Sequence, residues 1–139
     1  MKKFSTILIL FLFAGFTGMN AQTAAGGTAP ALSAKAKSLC KTWTFANSEN
    51  FDLPQAPTEA QKNDQFILME DGRFRWIYSG TPVVGTWTID KSNAWITLTQ
   101  DVTKETFRIK VMESSADKLK IDYRDKDEIH NILHFTAAK

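Results

Sequence analysis

Two histidines, His130 and His134, have the spacing that most directly suggests a metal site in this sequence. Residues four positions apart share one face of a helix and could bind the same ion. Leu133 and Phe135, however, belong to an alternating apolar pattern that indicates a β-strand. On a strand the two imidazoles stand ~13 Å apart, too far for one ion whose ligands lie ~2 Å away. The sequence therefore predicts two outward-facing histidines and no metal site.

Cys40 is the single cysteine, and a thiol beside a histidine is the arrangement of a nucleophile with its base. The sequence pattern supplies no third group to orient that base and no oxyanion donor. We therefore predict a structural or incidental thiol. A single cysteine also leaves no internal disulfide to stabilise the fold.

The carboxylates do not form the pair that a hydrolase needs. Glu70 and Asp71 precede Gly72 in a tight hairpin turn, and the acidic residues near Asp122 indicate a solvated edge. Residues 125–128 lack the ligand spacing of a calcium loop, and the chain has no glycine-rich phosphate loop. We predict no catalytic residue, no cofactor and no enzymatic activity.

Apolar and polar residues alternate through most of the chain from Leu39 onward. In one clear case, Leu119, Ile121 and Tyr123 alternate with charged residues. This period is typical of strands in a sheet with one wet face. The pattern predicts eight strands, at residues 39–46, 65–69, 73–78, 83–89, 94–99, 105–112, 118–124 and 128–136.

Short polar turns separate most of these strands, which favours an antiparallel up-and-down order. Closing such a sheet removes its exposed edges, so we predict an all-β, eight-stranded, antiparallel up-and-down barrel. Residues 47–64 are the one long connection, and Thr58–Gln61 reads as a capping box that predicts a short helical turn there. In a meander this connection shares its end with three others, and we predict an open mouth at that end.

The large aromatic side chains of the predicted strands fall mostly on the inner face of the barrel. An eight-stranded barrel has an interior that side chains just fill or that holds one small ligand, and both outcomes stay open. Tyr78, Tyr123 and Asn131 would supply polar groups near the mouth. The candidate cavity residues are Phe45, Phe66, Phe74, Trp76, Tyr78, Trp87, Phe107, Tyr123 and Asn131.

The amino-terminal segment has the features of a secretory signal peptide. Lys2 and Lys3 precede an apolar run, and Ala21 follows as the small residue of a cleavage site. We therefore expect export to the periplasm or the exterior, with no membrane span after cleavage. The predicted segments are a signal peptide at 1–21, a flexible leader at 22–37 and the barrel domain at 38–139. The leader is rich in Ala, Gly and Thr, and its last part suggests a short helical turn against the barrel.

The charge of the chain gives no electrostatic reason to expect a nucleic acid or an anionic membrane surface as partner. The full chain carries 17 basic and 15 acidic residues, a net charge of +2. Loss of Lys2 and Lys3 with the signal peptide would leave the chain about neutral, with no run of like charges.

Three short motifs resemble those of lipocalin-like domains, within residues 38–135. They are Leu39-x-x-x-Trp43, Phe66-x-x-x-Glu70-Asp71-Gly72-x-Phe74 and Gly85-x-Trp87. The chain looks most similar to the small exported lipocalin-like domains of bacteria. The resemblance implies a calycin-type barrel that holds a small apolar ligand, although Lys41 stands where these domains usually have glycine.

Two functions of different classes follow from these patterns. The first is an exported barrel that binds a small apolar or amphipathic ligand. The second is a non-catalytic protein-interaction or inhibitor module with a filled core. Trp95 favours the second, because its register points outward and an exposed tryptophan can anchor an interface.

Overall fold

A short helix precedes the strands. In the computed structural model, which describes residues 31–139, α1 spans Ala34–Leu39. Ser33 caps this helix, because its side-chain oxygen accepts a hydrogen bond from the Ala36 N–H at 3.1 Å. Ala36 and Leu39 are fully buried in the main core. The end of the predicted leader is therefore folded against the barrel, where the sequence suggested a helical turn.

The predicted signal peptide at residues 1–21 lies outside the described residues, as does the predicted leader up to residue 30. Both segments stay predictions. In residues 31–139, no helix has both the length and the apolar composition needed to cross a membrane.

Nine antiparallel strands follow the helix in the described part of the chain. They are β1 Thr42–Asn50, β2 Leu53–Gln55, β3 Gln65–Leu68, β4 Arg73–Tyr78, β5 Thr81–Ile89, β6 Trp95–Gln100, β7 Thr106–Ser114, β8 Lys118–Arg124 and β9 His130–Ala137. All except β2 pair in sequence order, and β1 also pairs with β9. The predicted eight-stranded up-and-down barrel is confirmed.

The first strand begins and ends later than the sequence predicted. Leu39 was expected to open this strand, but it is the last residue of α1 and the strand starts at Thr42. A few apolar residues do not distinguish a final helical turn from the start of a strand. At its other end β1 continues past Ala46 to Asn50, through polar residues that give no alternation signal.

The barrel closes where β1 meets β9. Phe45 lies opposite Phe135, and Asn47 lies opposite His134, so the register shifts around Ala46. A bulge of this kind bends the strand and increases its twist. Beyond the shift, β1 also pairs with the short strand β2 in a hairpin that the sequence did not predict.

The long connection between β1 and β3 contains this hairpin and one turn of 3₁₀ helix at Glu59–Gln61. The predicted capping box is present, and the Thr58 N–H donates to Gln61 Oε1 at 3.0 Å. The predicted short helical turn is therefore confirmed.

The core follows the predicted alternation closely. Trp43 and Trp87 are both buried, and each indole N–H donates to a backbone carbonyl at 2.9 Å, on Leu39 and Met69 respectively. A buried indole normally requires such a partner. The buried apolar set is Ala36, Leu39, Trp43, Phe45, Phe66, Leu68, Phe74, Trp76, Trp87, Ile96, Leu98, Ile109, Leu119, Ile121, Leu133 and Phe135, none more than 7% exposed.

Gly85 in β5 allows a close approach inside the barrel wall. A β-carbon at this position would lie 1.9 Å from the Thr99 carbonyl oxygen and 2.8 Å from the ring of Phe74. The Phe74 ring therefore packs where any other residue would place its side chain. The motif Gly85-x-Trp87 thus has a direct steric reason for its glycine.

Candidate ligand site at the open end of the barrel

One end of the barrel, termed the closed end, consists of residues 33–41 and the connections 69–72, 90–94 and 115–117. The residues that flank α1 are hydrogen-bonded to two of these turns. Ser33 donates a side-chain hydrogen bond to Asn93 at 2.7 Å, and Lys41 Nζ donates to the Ala116 carbonyl at 3.0 Å. Lys41 Nζ also lies 5.0 Å from the ring centroid of Trp43. The lysine that replaces the usual glycine therefore covers the buried tryptophan.

The opposite end, termed the open end, consists of the connections 51–64, 79–80, 101–105 and 125–129. This is the end at which the sequence predicted a mouth. The alternation within the predicted strand 128–136 places Ile129 on the inner face together with Leu133 and Phe135. In the structure β9 begins at His130, and Ile129 lies in the connection, 57% exposed. The turn at residues 125–129 is closed by the Asp125 N–H, which donates to the Ile129 carbonyl at 3.2 Å.

The nine candidate cavity residues divide into two groups by depth. Five of them are buried side chains of the packed core, namely Phe45, Phe66, Phe74, Trp76 and Trp87. The other four are half-buried and belong to the open-end parts of their strands, namely Tyr78, Phe107, Tyr123 and Asn131. A ligand that enters from the open end therefore meets the second group first.

A continuous set of aromatic rings connects the core with the open end. Trp76 lies 5.3 Å from Phe66 between ring centroids, and the Tyr123 ring stands edge-on to Trp76 at 5.1 Å. Tyr78 is 5.4 Å from Trp76 and 5.9 Å from Tyr123. Phe107 extends the set at 6.3 Å from Tyr123. These edge-to-face distances are typical of stabilising aromatic pairs.

Strands β7 and β8 separate as they approach the open end. Their ladder ends at the pair Ile109–Tyr123, whereas β7 remains paired with β6 as far as Thr106. Residues 106–108 therefore have no ladder partner on the β8 side. An open cleft of about 810 Å³ lies here, which we term the mouth cleft. Its lining includes Phe107, Arg108, Tyr123, Arg124, Asp125 and Glu128.

The two tyrosines of the aromatic set lie in an environment that favours their neutral form. Burial raises the pKa of Tyr78, and the charge of Asp125 raises it further. Burial also raises the pKa of Tyr123, with contributions from Tyr78 and Asp125. Asp125 thus acts electrostatically on both hydroxyls.

Asp125 is half-buried and held in place by its own turn. Its Oδ1 accepts hydrogen bonds from the N–H groups of Asp127 and Ile129, at 2.9 and 3.0 Å. Among the hydrogen bonds of residues 31–139, none uses its Oδ2. The turn therefore fixes a carboxylate with one free oxygen in the lining of the mouth cleft.

Asp64 is the one buried charged residue within residues 31–139, and it organises the open end. Its two carboxylate oxygens accept hydrogen bonds from the N–H groups of Ser79 and Gly80, at 2.6 and 2.9 Å. Its own carbonyl accepts from the Phe45 N–H at 3.0 Å. The carboxylate thus joins the long connection to the β4–β5 turn that follows Tyr78.

Asn131, the polar residue expected near the mouth, lies directly opposite Tyr123 in the β8–β9 ladder. Its side-chain Nδ2 donates to the Ile129 carbonyl at 3.1 Å. The amide is therefore placed beside the aromatic set, while one of its donors already supports the 125–129 connection.

The two histidines contact different carboxylates, consistent with their predicted outward register. His130 Nδ1 lies 3.0 Å from Asp122, and His134 Nε2 lies 2.6 Å from Glu49. Lys120 contacts the same Glu49 oxygen at 2.9 Å. Within residues 31–139, no three His, Cys, Asp or Glu side chains are grouped closely enough to hold a metal ion.

Cys40 lies at the end of α1 and not in a strand beside the histidines. Its Sγ donates to the Ala36 carbonyl at 3.3 Å. Burial, together with the charges of Glu70 and Asp71, raises the pKa of this thiol. The thiolate that a nucleophile requires is therefore disfavoured.

Trp95 points out of the barrel wall, in line with its predicted register, but it is not fully exposed. The Arg108 guanidinium lies over its ring, with Cζ 4.6 Å from the centroid. Trp95 contributes to the outer part of the mouth cleft.

The sequence pattern did not identify three residues of this region, Asp64, Arg108 and Asp125, as part of a site. Asp64 precedes a strand, and a carboxylate in that position carries no pattern that indicates burial. Asp125 belongs to the acidic segment for which the sequence predicts a solvated edge, but its side chain is half-buried. Its signal would be the sequence Asp-Lys-Asp, in which the first side chain bonds the backbone two residues on.

No protein-family model and no curated protein matches the chain. Similar solved structures include the following two. A lipocalin-like protein from Bacteroides uniformis aligns with a TM-score of 0.54 at 13% identity, over 73% of this chain and 99% of that one. A point mutant of LTBP1 in complex with leukotriene C4 aligns with a TM-score of 0.50 at 12% identity, over 80% of this chain and 73% of that one.

At these identities the similarity concerns the fold. The closed, eight-stranded, up-and-down barrel with its amino-terminal helix defines a lipocalin-like architecture. The resemblance noted in the sequence motifs is confirmed at this level: the domain is a lipocalin-like barrel.

Proposed function

We propose that this protein is an exported, non-catalytic barrel that binds a small apolar or amphipathic ligand at its open end. The observation that carries the proposal is the mouth cleft of about 810 Å³, which reaches half-buried aromatic rings above a packed core. Three aromatic residues, Trp95, Phe107 and Tyr123, line this cleft among polar and charged side chains, and such a mixture can hold a small molecule with both apolar and polar parts.

The depth of the site follows from the packing below it. Trp76 and Phe66 are at most 4% exposed and in ring contact, so a ligand would rest above Trp76. Phe107 and Tyr123 would then form its apolar wall. A site that is this shallow leaves one end of the ligand in water, which favours an amphipathic molecule over a wholly apolar one.

One of the similar solved structures supports the ligand-binding part of this proposal. The LTBP1 mutant, whose fold is similar, was solved in complex with leukotriene C4, a small ligand. Export is supported by the signal-peptide pattern of residues 1–21. If export is correct, protein recovered from the envelope of a bacterial host begins at Gln22, whereas an intact amino terminus contradicts it.

The binding proposal is tested by titrating the barrel with a neutral fluorescent probe, N-phenyl-1-naphthylamine. We expect saturable binding, and we expect Phe107→Ala to weaken it about three- to tenfold, because part of an apolar wall is lost. Val84→Ala, on the outer face of β5, is the matched control and should leave the dissociation constant unchanged. The absence of saturable binding to the wild-type protein would reject the proposal.

The protein-interaction function remains the second candidate. It is supported by the filled core and by the outward position of Trp95 beside Arg108. Arginine and tryptophan are frequent anchors of interfaces. Recovery of partners by wild type and by Trp95→Ala separates the two cases, and equal recovery of every partner counts against an interface at Trp95.

A further inference from the structure

The charges around the open end are strongly unbalanced. Its four connections, residues 51–64, 79–80, 101–105 and 125–129, carry eight carboxylates and three lysines. The segments of the closed end carry four acidic and four basic residues. A ligand that approaches the mouth cleft therefore passes a negatively charged edge, although exposed charges alone are screened over about 8–10 Å in salt.

The cleft lining contains three basic side chains, Arg108, Arg124 and Lys126, and three acidic ones, Glu105, Asp125 and Glu128. Lys126 is exposed. The Arg108 guanidinium is stacked over Trp95, and Arg124 Nη1 lies 3.6 Å from Glu128. Both arginines are exposed. Asp125 is half-buried in the same lining, so its charge is less screened than theirs.

Asp125 and the aromatic side chains Phe107 and Tyr123 line the same cleft. The carboxylate adds to the raised pKa of both Tyr78 and Tyr123, which are in ring contact at 5.9 Å. A positive charge beside aromatic faces and a carboxylate is favoured by the ring quadrupole and by the ion pair together.

We propose that the mouth cleft selects cationic amphiphiles, with the apolar part against Phe107 and Tyr123 and the ammonium group beside the free oxygen of Asp125. This inference rests on the proposed ligand-binding function and adds the charge of the ligand to it.

The test uses three probes with the same ten-carbon chain: decyltrimethylammonium and decanoate below their micelle concentrations, and decanol below its aqueous solubility. Isothermal titration calorimetry of the wild-type barrel measures each dissociation constant. We expect decyltrimethylammonium to bind about tenfold more tightly than decanol, and decanoate to bind most weakly.

Two charge-neutralising variants of the same turn locate the effect. Asp125→Asn retains the Oδ1 that accepts the N–H groups of Asp127 and Ile129, so the turn is preserved. We expect it to reduce decyltrimethylammonium binding to the level of decanol and to leave decanol unchanged. Asp127→Asn removes the same charge from an exposed position and should leave all three dissociation constants unchanged.

The outcomes separate this inference from the function on which it rests. If decanol or decanoate binds as tightly as decyltrimethylammonium, charge selection is wrong and ligand binding stands. If both variants weaken cation binding equally, the diffuse charge of the open end acts and Asp125 has no special role. If none of the three probes binds saturably, the proposed function and this inference both fail.

Discussion

The closed end and the open end of this barrel are built from the same eight strands but differ in how completely their aromatic side chains are buried. At the closed end, α1 covers the interior and the indole N–H groups of Trp43 and Trp87 both find backbone carbonyls. At the open end, β7 and β8 separate and the aromatic side chains of Tyr78 and Tyr123 are only half-buried. Stability is therefore concentrated at one end, and access to the interior at the other.

The exposed apolar residues show the same difference. Within residues 31–139, the four most exposed large apolar side chains lie in the β1–β2 hairpin or the connections of the open end, namely Phe51, Leu53, Val102 and Ile129. Exposed apolar residues cost little when they occur singly. Their concentration at one end agrees with a binding role for that end, whereas the large apolar side chain exposed in the closed-end connections, Met69, is only 37% exposed.

The largest expected effect on the free energy of unfolding comes from a substitution at the closed end. Trp43→Ala should lower the free energy of unfolding by about 3–5 kcal/mol, since a buried ring and its hydrogen bond are lost. Tyr123→Ala at the open end should cost only about 1–2 kcal/mol, because its ring is half-buried. Urea melts measure both. Equal costs for the two variants would remove the distinction between the ends.

A substitution on the outer face of β5 provides a control for the Trp43→Ala result. Thr88 is exposed on the outer face of β5, next to the buried Trp87. Thr88→Ala should change the free energy of unfolding by about 1 kcal/mol or less, within the range of β-propensity.

Two glycines provide a second comparison with a smaller expected effect. Gly85→Ala should cost about 2–3 kcal/mol, because its β-carbon would overlap the Thr99 carbonyl and force β5 to move. Gly80→Ala, in the open-end turn, has φ +78° and an ordinary 3.6 Å contact to Ala60, so it should cost about 1 kcal/mol from backbone strain alone. Thermal or urea unfolding would contradict this reasoning if Gly80→Ala proved the more damaging change.

The smallest expected effect is a shift in ionisation at the open end. Tyr78 and Tyr123 are the two tyrosines of the chain, so absorbance of tyrosinate near 295 nm reports on them alone. Burial raises the pKa of both above that of an unfolded tyrosine, about 10. The stability that they contribute is therefore complete below pH ~10 and is lost as the pH rises through the folded values.

The same titration tests the role of Asp125. Asp125→Asn should move both absorbance midpoints toward that of the urea-unfolded protein, because one negative charge beside the hydroxyls is removed. Midpoints equal to the unfolded value in the wild-type protein would show that the open end is more solvated than the packing of Trp76, Tyr78 and Tyr123 indicates.

The sequence by itself determined the barrel and the side of the wall on which each core residue lies. Side chains alternate across a strand with period two, so Trp43, Trp87 and Phe135 could be assigned to the interior without any knowledge of pairing. The turn at Gly72 and the capping box at Thr58 are local signals, and both are present in the structure. Patterns of this kind depend on neighbours in the chain.

Only the tertiary structure decided which of the inward residues are accessible. The alternation pattern places both Phe74 and Phe107 on the inner face of the barrel. Phe74 is buried in the core, whereas Phe107 lines the mouth cleft. That difference depends on where β7 and β8 separate and on α1 covering the opposite end. Both are set by contacts between residues far apart in the chain, and a local alternation pattern carries no information about them.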